Sequence, residues 1–229
     1  MSKQTEHPSF KLIAGVGKYA DGTACIMSAA VALYRFKKGE PLGEATDQLD
    51  CACRVIREFC IKINDAGFWI SDEQRTEVLS PYIERLLDTA GSLELRIKRA
   101  FICADFAVRK FAPFALRKAG LEDQAVKLES LPQITSDAAA AAAAADDAAR
   151  YAAAAARYAA AAAADAARYA AARYDAAAAR YAAARYAADA GDAAAARYAA
   201  DAARYAGRHA ADGIIPLIKQ LMDALIEAR

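Results

Sequence analysis

RIKRAFICADFAVRKFAPFALRKAG, residues 96–120, decides the fold. Read with Ser92 to Leu95 in front of it, the segment is apolar over more than half of a helical circumference, which predicts a central helix packed by several neighbours. Pro113 is expected to break that helix and Gly120 to end it.

The flanking sequence supplies the neighbours. Ala24, Met27, Ala30, Val31 and Tyr34 recur at helical spacing and predict a first helix after Asp21 and Thr23, closed by Lys37, Lys38 and Gly39. A second helix is expected over about Glu44 to Ile63, with Leu49, Cys53, Ile56, Phe59, Cys60 and Ile63 on one stripe and Asn64, Asp65 and Gly67 as its stop. Ser71 followed by Gln74 forms a capping-box pattern that starts a third helix, carried by Val78, Leu79, Tyr82, Ile83, Leu86 and Leu87, with Pro81 either kinking it or beginning a new turn, and closed by Gly91. A short helix is predicted over Glu122 to Leu131. No period-2 run marks a strand, so residues 1–135 are expected to form an all-α bundle large enough to bury a core.

Composition changes abruptly after Pro132. Residues 137–212 use only Ala, Asp, Arg, Tyr, Gly and a single His. Alanine loses almost no side-chain entropy in a helix, so residues 136–212 are expected to form an alanine-rich helical array. Pairs such as Asp146 with Arg150 and Asp201 with Arg204 sit at helical spacing and add support. Copies of DAARYA begin at Asp147, Asp165 and Asp201; on an unbroken helix Tyr151, Tyr158, Tyr169, Tyr198 and Tyr205 share one stripe, whereas Tyr174, Tyr181 and Tyr186 point elsewhere. Gly191-Asp192 and Asp175 suggest helix restarts, hence antiparallel hairpins. Gly213 and Pro216 introduce a C-terminal amphipathic helix over residues 213–229, with Ile215, Ile218, Leu221, Met222, Leu225 and Ile226 as its stripe. Its cover is either the N-terminal bundle or a second copy of the chain, so a homo-oligomer through this helix or through the alanine array is one expectation.

Several function classes are disfavoured. The net charge is +1, so any pull on nucleic acid or an anionic membrane must be local. Cys25, Cys51, Cys53, Cys60 and Cys103 are an odd set, four of them within apolar patterns, and read as buried structural thiols of a reducing, cytoplasmic chain. A helical Cys51-Ala-Cys53 would splay its thiols about 200° apart, unlike a zinc-binding turn, and a cysteine nucleophile would have only His7 or His209 as a base. GVGKYADGT near Gly15 lacks the leading glycine and the Ser or Thr of a phosphate loop. The N-terminal apolar run, Leu12 to Gly17, is too short for a secretory signal, and the longest charge-free run of the array, Ala138 to Ala145, is too short for a membrane span. No catalytic residue, cofactor site or metal site is assigned.

CIMSAAVAL from Cys25, CACRVIREFCIKINDA from Cys51 and DEQRTEVLSPYIERLLDT from Asp72 resemble the helical N-terminal domain of uncharacterised alanine-rich proteins of bacteria and their phages. The tail resembles alanine-rich immunity proteins of bacterial toxin systems. No activity is attached to the first family; together with the residue-level reading, the expectation is a non-enzymatic helical protein-interaction module, an anti-defence inhibitor or an immunity-type protein, with a protein partner and no membrane. The candidate interaction residues are Arg96, Arg99, Arg109 and Lys110 on the central helix and Tyr151, Tyr158, Tyr169, Tyr198 and Tyr205 in the array. The alternative is nucleic-acid binding through the basic helix 96–118, where Arg96, Lys98, Arg99, Arg109, Lys110, Arg117 and Lys118 face only Glu94 and Asp105.

Overall fold

A computed structural model describes residues 8–118, 120–135 and 211–228. The alanine array, its hairpins and its tyrosine stripe lie outside the described residues. What is described is mostly helical, as expected, with one short strand pair that periodicity did not announce.

Helix α1 spans Ile26–Lys38. Cys25, not Asp21 or Thr23, caps its start, its thiol accepting the Ser28 amide at 3.2 Å. Gly39, at φ +71°, turns the chain out of the helix in the left-handed conformation that suits glycine. Thr23–Ala24 is instead a strand, β2, which pairs in parallel with β1, Lys11–Leu12. Two-residue strands are too short to carry an alternating signature. Gly17 returns the chain between them: its φ is +80°, and a β carbon there would lie 2.5 Å from the Ala24 Cα.

Helix α2 is shorter than its apolar stripe predicted. It covers Arg54–Asn64, and residues 44–53 are not helical. Tertiary hydrogen bonds hold this stretch in place of a helical ladder: the Cys53 amide donates to Thr89 Oγ1 at 3.0 Å, and the Ala90 amide donates to the Cys51 carbonyl at 2.8 Å. Asn64, buried at the end of α2, ties the N-terminal strand to α1. Its Oδ1 accepts the Ile26 amide at 3.1 Å and its Nδ2 donates to the Ile13 carbonyl at 2.7 Å.

Helix α3, Asp72–Leu79, starts at the predicted cap: Ser71 Oγ accepts the Gln74 amide at 3.2 Å. The return bond from Gln74 reaches the Ile70 amide, one residue earlier than in an ideal capping box. Of the two expectations at Pro81, a kink or a new turn, the second holds: Pro81 lies in the first of two 3-10 turns, Ser80–Tyr82 and Glu84–Leu86. The predicted apolar residues nevertheless face inward, with Val78, Leu79, Tyr82 and Leu86 buried.

The central helix runs through Pro113 without a break. Helix α4, Leu93–Phe106, passes into a π turn over Ala107–Phe111 and on into α5, Ala112–Lys118. A proline has no amide and its ring clashes with the carbonyl four residues back. The π turn resets the register, with the Ala112 amide reaching the Ala107 carbonyl, so Pro113 falls at the start of a new α segment where an amide is dispensable. Helix α6, Glu122–Glu129, folds back against α5.

Helix α7, Ala211–Glu227, is the last described element. Ile214, Ile218, Leu221 and Leu225 are completely buried and Met222 nearly so. The stripe is rotated from the predicted one, with Ile214 inside in place of Ile215. Its cover is this chain's own body, chiefly α4 and α2, and a single apolar cluster extends from Leu12 to Leu225. Each large side chain so enclosed contributes roughly 1.5–3 kcal/mol. Among the described residues, no helix is long and apolar enough to cross a membrane.

Candidate interaction surface on the central helix

The four basic residues singled out on the central helix have four different fates. Arg99 is inside the protein, 3% exposed, and is corrected from an interaction residue to a structural one. Its Nε donates to the Leu225 carbonyl at 2.8 Å, its Nη1 to the Thr89 carbonyl at 2.5 Å and its Nη2 to the Ala228 carbonyl at 3.2 Å. A guanidinium has five donors in a rigid fork, so it can join three buried carbonyls that no shorter polar side chain would reach together.

Arg109 closes onto Asp105, one turn earlier, with Nη1 at 3.1 Å and 3.3 Å from the two carboxylate oxygens. Asp105 is itself buried and also accepts the Ile134 amide at 2.9 Å. Arg96 is half-buried, and its Nε and that of Arg109 are enclosed without a hydrogen-bond partner among the described residues. Lys110 is exposed.

Arg117 and Lys118 are also engaged within the chain. Arg117 bonds Glu122 at 3.0 Å and Glu129 at 2.6 Å, and the ammonium of Lys118 lies 5.6 Å from the centroid of the Phe114 ring. Exposed pairs of this kind contribute little stability, but the Arg117 pair places two carboxylates beside a cation that a phosphate would need. Of the charge counted along the sequence, Arg99, Arg109 and Arg117 are therefore committed to partners within the chain, whereas Lys110 remains exposed.

The thiols sit in the interior. Cys25, Cys53, Cys60 and Cys103 are buried and Cys51 is partly exposed; all five are free. Cys60 lies 3.7 Å from the Met222 sulfur, joining α2 to α7. Burial pushes the Cys60 and Cys103 thiols far above the usual cysteine range, so neither supplies a thiolate nucleophile near neutral pH. Cys51 and Cys53 do not lie on one helix as expected; they bracket the turn before α2, with Cys53 as its cap residue. Among the described residues, no group of three or more His, Cys, Asp or Glu side chains is placed to hold a metal ion.

The glycine loop after β1 has an internal partner too. The Gly15 amide donates to Asp65 Oδ1 at 2.8 Å, and the loop runs into a 3-10 turn, Tyr19–Asp21, rather than the helix start a phosphate loop requires. An open cleft of about 730 Å³ lies elsewhere, between Arg35 on α1 and the loop Glu40 to Thr46. The Arg35 Nη1 donates to the Leu42 carbonyl and, at 3.3 Å, to the Glu44 carbonyl, so the guanidinium organises the loop that forms the cleft. Sequence reasoning missed this feature because residues 44–53 were expected to be helical.

Tyr151, Tyr158, Tyr169, Tyr198 and Tyr205 fall outside the described residues. No protein-family model, curated protein or solved structure matches the chain.

Proposed function

We propose that this chain is a non-enzymatic helical protein-interaction module, of anti-defence or immunity type. The observation that carries the reading is the internal engagement of several chemistry-bearing side chains among the described residues. Arg99 joins three buried carbonyls, Arg109 sits on Asp105, and Cys60 and Cys103 are enclosed thiols held protonated by burial. Such groups rigidify a scaffold and leave recognition to shape and to the wider surface.

Binding of nucleic acid by the 96–118 helix is the reading that this one displaces, and the two differ in salt dependence. A protein that neutralises several phosphates loses affinity steeply as salt rises, whereas a shape-matched protein interface responds weakly. The test is to capture partners with the full chain in its source cells, purify each captured protein, and titrate it and labelled single- and double-stranded nucleic acid against the full chain at about 50 and 200 mM salt. The expected result is one-to-one or other fixed-stoichiometry binding of a purified protein with little salt dependence. Submicromolar nucleic-acid binding that falls by orders of magnitude between the two salt concentrations would overturn the proposal.

A further inference from the structure

The described residues stop at Thr135 and resume in α7, and the two crossing points, at Ile134 and at Gly213, rest on the same helix. At the first, the Ile134 amide donates to buried Asp105, and its side chain, 2% exposed, packs with Ala104, Phe101 and Val108. At the second, a β carbon on Gly213 would lie 2.7 Å from the Phe114 ring, so the bare backbone is seated on that ring, and Ile214 beside it is fully buried. Asp105 and Phe114 are nine positions apart on either side of the π turn. That places the two crossings about 13 Å apart along the helix axis.

We propose that residues 8–135 and 211–228 are one cooperative folding unit, with α7 as its clasp. This goes beyond the proposed function and holds whatever the partner is. Helix α7 supplies Ile214, Ile218, Leu221, Met222 and Leu225 to the interior that α2 and α4 share. Arg99 on α4 finds its Leu225 and Ala228 acceptors in and just beyond the last turn of α7. Lifting α7 away strips that guanidinium of two acceptors and opens the apolar faces of α2 and α4 together. Release of α7 and unfolding of the body are therefore the same event.

Native-state hydrogen exchange of the full chain, followed by mass spectrometry at increasing urea, tests this. Amides of α7 are expected to exchange through the same opening as those of α2, with rates within about threefold after correction for intrinsic exchange and with the same urea dependence. Gly213→Val is expected to accelerate exchange in α2, in residues 131–135 and in α7 alike. Exchange of α7 tenfold or more faster than α2, or an effect of Gly213→Val confined to α7, would overturn the proposal. The wild-type comparison decides the matter even if the variant does not fold.

Discussion

The Arg99 guanidinium donates to the main-chain carbonyl of Leu225 at 2.8 Å, joining the middle of the central helix to the end of the chain's last described helix. Because the same group also serves Thr89 and Ala228, its removal leaves three buried carbonyls without donors. Hydrogen bonds from charged donors contribute about 1.5–3 kcal/mol each and are not additive within one group. Arg99→Ala is expected to lower stability by about 3–5 kcal/mol, measured by urea denaturation, and Arg99→Lys by less, since an ammonium cannot span all three acceptors. A loss below about 1 kcal/mol for Arg99→Ala would show that the buried bonds are not being made.

Alkaline pH should weaken the fold through its thiols. The folded-state values of Cys60 and Cys103 are raised above an ordinary value of 9.0, so these thiols stay protonated in the native state while their unfolded counterparts ionise. Their contribution is complete below about pH 9 and declines above it, by up to about 1.4 kcal/mol per pH unit for each thiol. Urea midpoints measured from pH 8 to 10.5 should fall along this course, and the fall should be shallower in a Cys60→Ala, Cys103→Ala chain. An identical decline in that double variant would assign the effect to other groups.

Thiol chemistry offers a second reading of the same interior. Cys51 is the partly exposed cysteine and the other four are buried. An aromatic disulfide reagent at neutral pH is expected to label Cys51 quickly and Cys25, Cys53, Cys60 and Cys103 only after denaturant is added. Rapid labelling of Cys60 or Cys103 in the native protein would contradict the packing of α7 over α2.

Asn64 is expected to be irreplaceable by its acid. The amide accepts from Ile26 through one atom and donates to the Ile13 carbonyl through the other. Asn64→Asp keeps the acceptor and turns the donor into a carboxylate facing a carbonyl, so a loss of about 2–3 kcal/mol at neutral pH is predicted from thermal or urea unfolding. Stability equal to that of the parent would mean that β1 is held mainly by Thr76, whose hydroxyl accepts the Leu12 amide at 2.8 Å.

Gly17→Ala tests the only tight approach of backbone to backbone found at a glycine of the described residues. Its φ of +80° disfavours any side chain, and the new methyl would press on the Ala24 Cα at 2.5 Å. Strain of this kind costs about 1–3 kcal/mol. The same substitution at Gly22, at φ +67° but with open space around it, should cost less.

Features written into local spacing were legible in the sequence. The start of α3 at Ser71, the end of α1 at Gly39, the apolar wrap of the central helix and the burial of one face of α7 all follow from periodicity and capping. What was not legible depends on distant partners. Leu49, Cys53 and Ile56 share a helical stripe, yet residues 44–53 follow Thr89 and Ala90 instead, and nothing near them in sequence announces that contact. Pro113 reads as a break until a π turn in front of it removes the clash. Arg99 reads as one cation in a solvated row because its acceptors at Leu225 and Ala228 lie more than 120 residues away. Asp105, with its paired duty to Arg109 and Ile134, was counted only as a charge opposing its neighbours.

The most direct test of the central claim is the native mass of the complex that the full chain forms in its source cells, recorded before and after nuclease digestion. The account predicts a discrete assembly whose added mass is polypeptide in fixed ratio and survives digestion unchanged. Added mass that disappears on nuclease treatment would contradict it.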